Sequence, residues 1–295
     1  MSRPLAWLLA LVFVLPTAVA KAQYQETAPA AGPATVSLKA ALKQGRTLVG
    51  TTITIPNVDT ALAMANAGFD FLWIEMEHGP ITLESLREIL LATRGAPAVP
   101  ITRVPVNQPW QAKRVLDMGS LGVVFPFTST RELAEQAVAA CKYPPLGVRG
   151  FGPGLALARY GMSTADYVRF ANENVLVVVI VEQKQAVENI DAIASVPGID
   201  VLFIGANDLS FSLGVGGRTT DPLVEAAVEK VLAAGRKYRV PVGYPTGNPT
   251  EINKRIAQGF RFFQAGSDLG FAQSGAREML SKVERSAHAT AARQP

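Results

Sequence analysis

One stretch of the chain combines an apolar run with a polar end: Phe69-Asp70-Phe71-Leu72-Trp73-Ile74-Glu75-Met76-Glu77-His78-Gly79-Pro80. A short apolar run bounded by turn residues is typical of a buried β-strand. Here the ionisable residues Glu75, Glu77 and His78 gather at the carboxyl end of that run. In barrels and open sheets of parallel strands, ligands bind at that end. The stretch therefore predicts a buried parallel strand that ends in functional side chains.

The rest of the sequence repeats this alternation. Eight apolar runs, the first at residues 47–55 and the last at 261–265, alternate with segments of helical pattern. The runs are apolar throughout, as expected for parallel strands that are buried on both faces. Eight strand–helix units in about 250 residues predict an α/β fold of the TIM (β/α)8 barrel type. A doubly wound sheet is the alternative, but the first strand lacks the glycine-rich phosphate turn that such folds usually carry.

The two ends of the chain differ in composition from its centre. Arg3, the apolar run from Leu5 to Leu15 and the small residues around Ala20 predict a signal peptide over residues 1–23. An uncleaved anchor is the alternative, although the run is shorter than the ~20 residues that span a bilayer. We expect a flexible linker at residues 24–36, the barrel domain at 37–285 and a disordered tail at 286–295. The predicted protein is exported, periplasmic or secreted, and free of the membrane after cleavage.

Charge and cysteine content exclude several classes of function. The formal net charge is +4, and it falls to +2 in a chain cleaved after Ala22, which has lost Arg3 and Lys21. The basic residues are not clustered as a nucleic-acid surface requires, so no nucleic-acid partner is expected. The single cysteine, Cys141, excludes an internal disulfide and a cysteine-ligated zinc site. The fold must therefore be stabilised by its apolar core.

Ionisable residues also follow the later strands. Arg103 ends the third strand, Glu182 follows the fifth and Asp208 follows the sixth, so a barrel brings them to one mouth. Glu182 and Asp208 are one strand–helix unit apart, and two facing carboxylates repel each other unless a cation lies between them. Mg²⁺ or Mn²⁺ suits such a pair, with waters and substrate oxygens as further ligands, and Co²⁺ is a third option. The alternative is that each acid pairs with an arginine or a lysine.

His78 is the candidate base, and Asp117 is its candidate partner. The only other histidine, His288, lies in the polar tail, so His78 is almost alone in offering a base near neutral pH. Asp117 is in the last turn of a predicted helix, where the helix dipole disfavours an anion. Pairing with His78 would explain that position, because a carboxylate fixes the tautomer of a histidine. The alternatives are a solvated Asp117 and a His78 that caps a helix.

Six motifs occur in order between residues 38 and 282. They are Ala67-Gly68-Phe69-Asp70 with Glu77-His78-Gly79-Pro80, Arg103 with Pro105 and Asn107, Leu116-Asp117-Met118-Gly119, Tyr143-Pro144-Pro145 with Gly147-Val148-Arg149-Gly150, Val181-Glu182, and Phe203-Ile204-Gly205 with Asn207-Asp208-Leu209-Ser210. In these motifs the chain resembles the HpcH/HpaI aldolase/citrate lyase family, and within it the class II 4-hydroxy-2-oxoheptanedioate aldolase branch. The order and spacing make the resemblance specific.

The resemblance implies a metal-dependent lyase that reversibly cleaves 4-hydroxy-2-oxo acids to pyruvate and an aldehyde through a metal-stabilised pyruvate enolate. Its small-molecule partners are then a 2-oxo acid and an aldehyde. The resemblance also implies Glu182 and Asp208 as metal ligands, and His78 acting with Asp117 as the base. Arg103 resembles the residue that holds the keto oxygen and stabilises the enolate.

Two further features come from the same resemblance. The backbone of Ala206, Asn207 and Asp208 resembles the cradle of the pyruvate carboxylate. A homo-oligomer, expected to be a hexamer, would bury the last helix against a neighbouring subunit.

Three departures from the family pattern leave the aldehyde open. The chain has Ile180 where the family commonly has Gln, Thr51 to Thr54 where it often has an aromatic residue, and Glu75 where it typically has Asp. A CoA-thioester lyase of the citrate/malyl type is one alternative, although no clear adenine-nucleotide site is visible. A non-catalytic, exported barrel that binds a keto acid is another, but a binding protein has no need of a base such as His78.

The prediction of export can be checked on the natively produced protein. Ala18-Val19-Ala20 and Ala20-Lys21-Ala22 both fit the small-x-small pattern that precedes signal cleavage. Mass spectrometry should therefore find a mature amino terminus near Lys21 or Gln23. A protein that keeps Met1 and stays in the cytoplasm would contradict the prediction.

Overall fold

The computed structural model describes residues 37–284. The predicted signal peptide at 1–23, linker at 24–36 and tail at 286–295 lie outside the described residues. Within 37–284, eight parallel strands pair in sequence order and close into a barrel, because the last strand pairs with the first. The strands are Leu48–Ile53 (β1), Phe71–Glu75 (β2), Val99–Arg103 (β3), Gly122–Phe125 (β4), Leu176–Val181 (β5), Val201–Ile204 (β6), Val242–Pro245 (β7) and Phe262–Ser267 (β8). The predicted TIM barrel is confirmed.

Helices follow the strands and form the outer layer. Within the described residues they are Leu38–Lys43 (α1), Val58–Ala65 (α2), Leu83–Ala92 (α3), Pro109–Asp117 (α4), Arg131–Cys141 (α5), Gly154–Tyr160 (α6), Thr164–Asn174 (α7), Lys184–Glu188 (α8), Ile190–Ala194 (α9), Ala206–Ser212 (α10), Pro222–Tyr238 (α11), Pro249–Gln258 (α12) and Asp268–Ser281 (α13). None of these helices is long and apolar enough to cross a membrane.

The strands are buried on both faces, which explains their apolar sequences. Every residue of β2 and of β5 is buried. Inside the barrel, the rings of Phe71 and Phe262 stack with their centroids 4.3 Å apart. Gly50 of β1 lies against this stack, and a Cβ atom there would lie 2.3 Å from the Phe71 ring. The interior is therefore a close-packed core rather than a channel.

The structure differs from the sequence pattern at three places. The pattern predicts one helix over residues 185–194, but the structure breaks that segment at Asn189 into α8 and α9. The pattern predicts no helix at α6 or α10, because each is seven residues long and lies in a glycine-containing stretch that resembles a loop. Of these, α10 matters for the site, since it begins directly after β6.

Gly50→Ala tests the packing of the barrel interior. The added methyl group would overlap the Phe71 ring, which is fully buried and held by Phe262. We expect the free energy of unfolding to fall by about 1–3 kcal/mol, as in other overpacked cores. Urea denaturation gives this quantity, and Gly154→Ala is the control because no atom lies within 4 Å of its added Cβ. Equal stability of the two variants would contradict this account.

Candidate active site at the carboxyl ends of the strands

A cavity of about 400 Å³ opens at the carboxyl ends of the strands. Residues of β2, β3, β5, β6, β7 and β8 and of the segments that follow them line this cavity. The lining residues are Trp73, Glu75, His78, Arg103, Ile180, Glu182, Phe203, Gly205, Ala206, Asn207, Asp208, Pro245 and Gln264. The barrel thus brings together all the predicted site residues except Asp117.

Arg103 is the central cation of the site. Its Nη1 lies 3.4 Å from Glu75 Oε2, and its Nη2 contacts Glu77 Oε2 and lies 3.7 Å from Glu182 Oε2. Only 12% of the Arg103 side chain is exposed. Its Nε is buried and has no hydrogen-bond partner among the described residues. Arg103 therefore holds three acidic side chains at the mouth and keeps one donor free.

Glu75 shapes the turn that follows β2. Its Oε1 accepts hydrogen bonds from the backbone N–H groups of Glu77, at 2.7 Å, and His78, at 3.1 Å. Its Oε2 accepts a hydrogen bond from the indole N–H of Trp73 at 3.3 Å. A carboxylate placed in this way fixes the turn, so Glu75 orients the two ionisable residues that come after it.

Glu77 and Glu182 are protonated more readily than ordinary glutamates. Burial raises the pKa of each from its usual value to about 7. The charge of Arg103 opposes this rise in pKa in both, and the backbone N–H of Phe127 also opposes it in Glu182. Asp208 raises both pKa values by repulsion, which indicates that the three carboxyl groups are close together.

Glu182 is held by an unusual backbone conformation. The N–H of Phe127 donates to Glu182 Oε1 at 2.6 Å. Phe127 has a φ of 49°, in the left-handed region that bulky residues rarely adopt. Such strain is typical of functional sites, where surrounding contacts stabilise it. Here the strained turn after β4 directs a donor at the buried carboxylate.

His78 lies at the rim of the cavity with 59% of its side chain exposed. Its Nε2 is 3.4 Å from Arg103 Nη2. A guanidinium group has no acceptor, so this contact is a hydrogen bond only in the tautomer that carries the ring proton on Nδ1. In that tautomer an unprotonated nitrogen faces Arg103, as a base requires.

Asp117 and His78 are not partners within this chain. Asp117 Oδ1 instead accepts a hydrogen bond from Arg149 Nη2 at 2.8 Å. Arg149 is 3% exposed, and its guanidinium carbon lies 4.4 Å from the centroid of the Tyr143 ring. A buried guanidinium needs a counter-ion, which explains an anion at the unfavourable end of α4. The predicted dyad of His78 and Asp117 is thus not formed in one copy of the chain.

The first turn of α10 carries the predicted carboxylate cradle. Ala206, Asn207 and Asp208 begin this helix, and the first N–H groups of a helix have no partner within it. No side chain caps them, because the residue before the helix is Gly205. A Cβ atom at Gly205 would lie 2.6 Å from Glu182 Cβ and 2.8 Å from its Oε2. The absence of a side chain at Gly205 therefore allows the start of α10 to lie directly against the buried Glu182 carboxylate.

The donor set fits a divalent cation held by few protein ligands. Glu182 Oε2 is buried and has no hydrogen-bond partner among the described residues. An orphan buried oxygen beside Asp208 is a suitable ligand for a hard cation. Across residues 37–284, no group of three or more His, Cys, Asp or Glu side chains is arranged to hold a metal. A cation would then take Glu182 and Asp208 and complete its shell with oxygens from water and substrate.

Several functional residues were not assigned roles from the sequence. Glu75 at the end of β2 and Glu77 just after it are visible in the sequence, but their contacts with Arg103 depend on the neighbouring strand β3. The hydrogen bond from Phe127 to Glu182 could not be predicted from residue types, because its donor is a backbone N–H group. Gln264 is the one strongly polar side chain in the apolar run of β8, a signal that could have identified it.

Comparison with known proteins places these features in a family. The model of a family described as HpcH/HpaI aldolase/citrate lyase matches residues 52–274. A 2-dehydro-3,6-dideoxy-6-sulfogluconate aldolase of Pseudomonas putida is 37% identical over 239 residues, which cover 81% of this chain and 93% of the relative. A 5-keto-4-deoxy-D-glucarate aldolase of Shigella dysenteriae is 34% identical, with 84% of this chain and 96% of the relative covered.

A solved structure agrees with these matches. It belongs to an HpcH/HpaI aldolase/citrate lyase family protein from Burkholderia cenocepacia, with a TM-score of 0.79 and 35% sequence identity. The match covers 83% of this chain and 98% of that protein.

The two raised pKa values predict how pH affects the metal-free protein. Between the unfolded pKa near 4.5 and the folded pKa of about 7, Glu77 and Glu182 bind more protons folded than unfolded. Stability should therefore fall as pH rises from about 5 to about 7.5. Urea denaturation in the presence of a chelator measures the slope, and Glu77→Gln should reduce it. A slope of the opposite sign, or one unchanged in Glu77→Gln, would contradict the assignment.

Proposed function

The chain belongs to the HpcH/HpaI aldolase/citrate lyase family, and on that premise we propose how it acts as a class II aldolase. It is a carbon–carbon lyase. Its substrates are 4-hydroxy-2-oxo acids, which it splits reversibly into pyruvate and an aldehyde. The bond between C3 and C4 breaks, its electron pair stays on C3 as an enolate, and the C4 hydroxyl loses its proton to become the aldehyde. A proton added at C3 then completes pyruvate.

One observation carries the proposal: the guanidinium of Arg103 lines the cavity, and its Nη nitrogens lie close to the carboxylates of Glu75 and Glu182. Negative charge develops on the keto oxygen as the C3–C4 bond breaks. A fixed donor in a partly buried site stabilises such charge without reorganisation. Arg103 is therefore suited to hold the keto oxygen and stabilise the enolate.

Glu182 and Asp208 would hold a divalent cation, either Mg²⁺, Mn²⁺ or Co²⁺. When bound, the cation would supply Lewis-acid stabilisation of the developing negative charge. The backbone N–H groups of Ala206, Asn207 and Asp208 would bind the substrate carboxylate, since uncapped amides at a helix start attract anions. These contacts orient the 2-oxo acid so that its keto oxygen faces Arg103.

His78 is suited to move the proton of the C4 hydroxyl. Its Nε2 lies 3.4 Å from Arg103 Nη2 at an open rim, where a water molecule can connect it to the substrate. A histidine is an effective base near neutral pH. If Asp117 assists His78, it must do so from another copy of the chain, because in this copy it pairs with Arg149.

The lysines support the metal-dependent route over a Schiff base. No lysine lines the cavity that the described residues form. Burial lowers the pKa of Lys142 to about 8, but its Nζ donates to the backbone carbonyls of Asn172 and Val175. Lys142 follows α5 and is absent from the cavity lining, so it is a structural residue.

We also propose that the protein is a homo-oligomer. The helix α13 begins at the buried Asp268, but every residue from Leu269 to Glu284 is exposed. Among these are the large apolar side chains of Leu269, Phe271, Met279, Leu280 and Val283. Exposed large apolar side chains in this number on one helix favour an interaction site. The hexameric state rests on the family resemblance, and export rests on the sequence of residues 1–23.

Metal removal provides the first test of the proposed activity. Cleavage of 4-hydroxy-2-oxo acids, followed as pyruvate release, should stop in the presence of a chelator and return with Mg²⁺, Mn²⁺ or Co²⁺. Asp208→Asn should raise the cation concentration needed for half activity, because one carboxylate cannot replace two. Full activity after complete chelation would contradict the proposal.

Two variants separate the roles of Arg103 and His78. Arg103→Ala should lower aldol cleavage by ~10²–10³-fold, the usual cost of one oxyanion donor. It should also lower decarboxylation of oxaloacetate, which passes through the same pyruvate enolate. His78→Ala should lower cleavage but keep part of the decarboxylation, since loss of CO₂ needs no base at a C4 hydroxyl.

The deciding quantity is the ratio of the two activities in each variant. Arg94→Ala is the matched control for arginine removal, because Arg94 is exposed and follows α3, away from the cavity. An equal loss of both activities in the His78 and Arg103 variants would refute the separate roles.

The assembly can be tested with the intact chain. Light scattering at micromolar concentration should give a mass of several chains, because burial of the apolar face of α13 favours association. Met279→Glu combined with Leu280→Lys should shift the mass towards the monomer, since charges at an apolar interface are costly to desolvate. A wild-type protein that is monomeric under these conditions would refute the proposal.

A further inference from the structure

A second cavity, of about 330 Å³, lies at the end of the barrel opposite the candidate active site. Its walls come from α1, from the end of α11 and from the residues that directly precede β6 and β7. In a barrel of parallel strands, the residues that precede the strands and those that follow them lie at opposite ends. This cavity, called here the amino-terminal pocket, is therefore separate from the cavity around Arg103.

The amino-terminal pocket carries more positive than negative charge. Among the described residues that line it, Lys39, Lys43 and Arg239 are basic and Asp200 is the one acid. Lys39 Nζ lies 2.9 Å from Asp200 Oδ1, so these two charges compensate each other. Neither Lys43 nor Arg239 forms an ion pair with an acidic side chain of residues 37–284. The pocket thus has two uncompensated cations.

Arg239 occupies a backbone position that disfavours a side chain. It ends α11 with a φ of 58°, in the left-handed region where glycine is the usual residue. The helix dipole favours a cation at this end, but the last turn of α11 already contains Arg236 and Lys237. The helix therefore does not require the charge of Arg239, and a ligand in the pocket gives that charge a role.

A buried lysine beside Lys39 adds to the positive potential of this region. Lys142 is 6% exposed, and its Nζ donates to the backbone carbonyl of Asn172 at 2.7 Å. The pKa of Lys142 is lowered to about 8, chiefly by burial and then by repulsion from Lys39. An anion bound beside Lys39 would reduce this repulsion, so the region favours a negatively charged ligand.

The uncharged part of the wall is apolar. It consists of the buried side chains of Leu42 and Ile199 together with Pro241. An apolar wall with a few charged groups is typical of sites for small organic molecules, and about 330 Å³ is near the lower limit of their size. A phosphate ester presents several oxygens on one group, which a lysine and an arginine from two different helices can contact together. A short carbon body would then lie against the apolar wall.

We propose that the amino-terminal pocket is a second ligand site, which binds a small organic phosphate. The phosphate group lies between Lys43 and Arg239, and the carbon body contacts Leu42 and Ile199. The site takes no part in carbon–carbon cleavage, because it lies at the other end of the barrel. The inference therefore does not depend on the proposed aldolase function.

Isothermal titration calorimetry on the intact chain in the presence of Mg²⁺ tests the proposal with three anions. Glycerol 3-phosphate is the probe, inorganic phosphate lacks its carbon body, and succinate carries two negative charges on carboxylates. Glycerol 3-phosphate should bind most tightly of the three. Its affinity should fall as the salt concentration rises, because salt screens exposed charges.

Two variants locate the binding. Arg239→Gly removes a charge without straining the backbone, because glycine readily adopts the left-handed conformation. The Kd for glycerol 3-phosphate should rise about 10-fold, between the effects of an exposed ion pair and of a charged hydrogen bond. Lys43→Gln should have a similar effect. Arg94→Ala, which removes an exposed charge outside the pocket at the same end of the barrel, is the control and should leave the Kd unchanged.

Three results would overturn the proposal. The first is a wild-type protein that does not bind glycerol 3-phosphate. The second is an unchanged Kd in both Arg239→Gly and Lys43→Gln, which would place the phosphate elsewhere, for instance at the first turn of α10. The third is equal or tighter binding of inorganic phosphate or succinate, which would refute the ligand class. Each of these results is compatible with an active aldolase, so none of them bears on the proposed activity.

Discussion

The site depends on one guanidinium shared by three acidic side chains. Arg103 contacts Glu75, Glu77 and Glu182, which come from two other strands and the segments that follow them. Without that charge, three buried carboxyl groups around one guanidinium would take up protons or repel each other. Because β3 lies beside β2, the closed barrel sets this arrangement before any ligand binds. The contacts of Arg103 with the three glutamates therefore depend on the order of the strands in the barrel as well as on the residues themselves.

Patterns that reflect burial could be predicted from the sequence. An unbroken apolar run rich in valine and isoleucine, such as that of β5, favours a buried strand, and eight such runs allow few other folds. Residues at strand ends, such as Arg103 and Glu182, could also be placed, because position in a barrel follows from position along the chain. The short helix α10 was missed, since a helix of seven residues has little periodicity to detect.

Contacts between distant segments could not be predicted in the same way. Asp117 was expected beside His78 because its position at a helix end demanded a partner, and the structure supplies one in Arg149, 32 residues further along the chain. The sequence indicated that the Asp117 carboxylate needs a partner, but it did not identify that partner. The donor to Glu182 from Phe127 is a backbone group, which every residue but proline offers. Only the three-dimensional structure shows that the N–H of Phe127 is the group that donates to Glu182.

Closure of the barrel also affects how the folded protein behaves at high concentration. A sheet with free edges presents unpaired backbone groups on which another chain can add a strand and begin to aggregate. Each of the eight strands here has two neighbours, so the described sheet offers no such edge. The single thiol, Cys141, is fully buried and cannot exchange disulfides with another molecule. Strand addition and thiol cross-linking, two common routes to irreversible aggregation, are thereby closed to the native barrel.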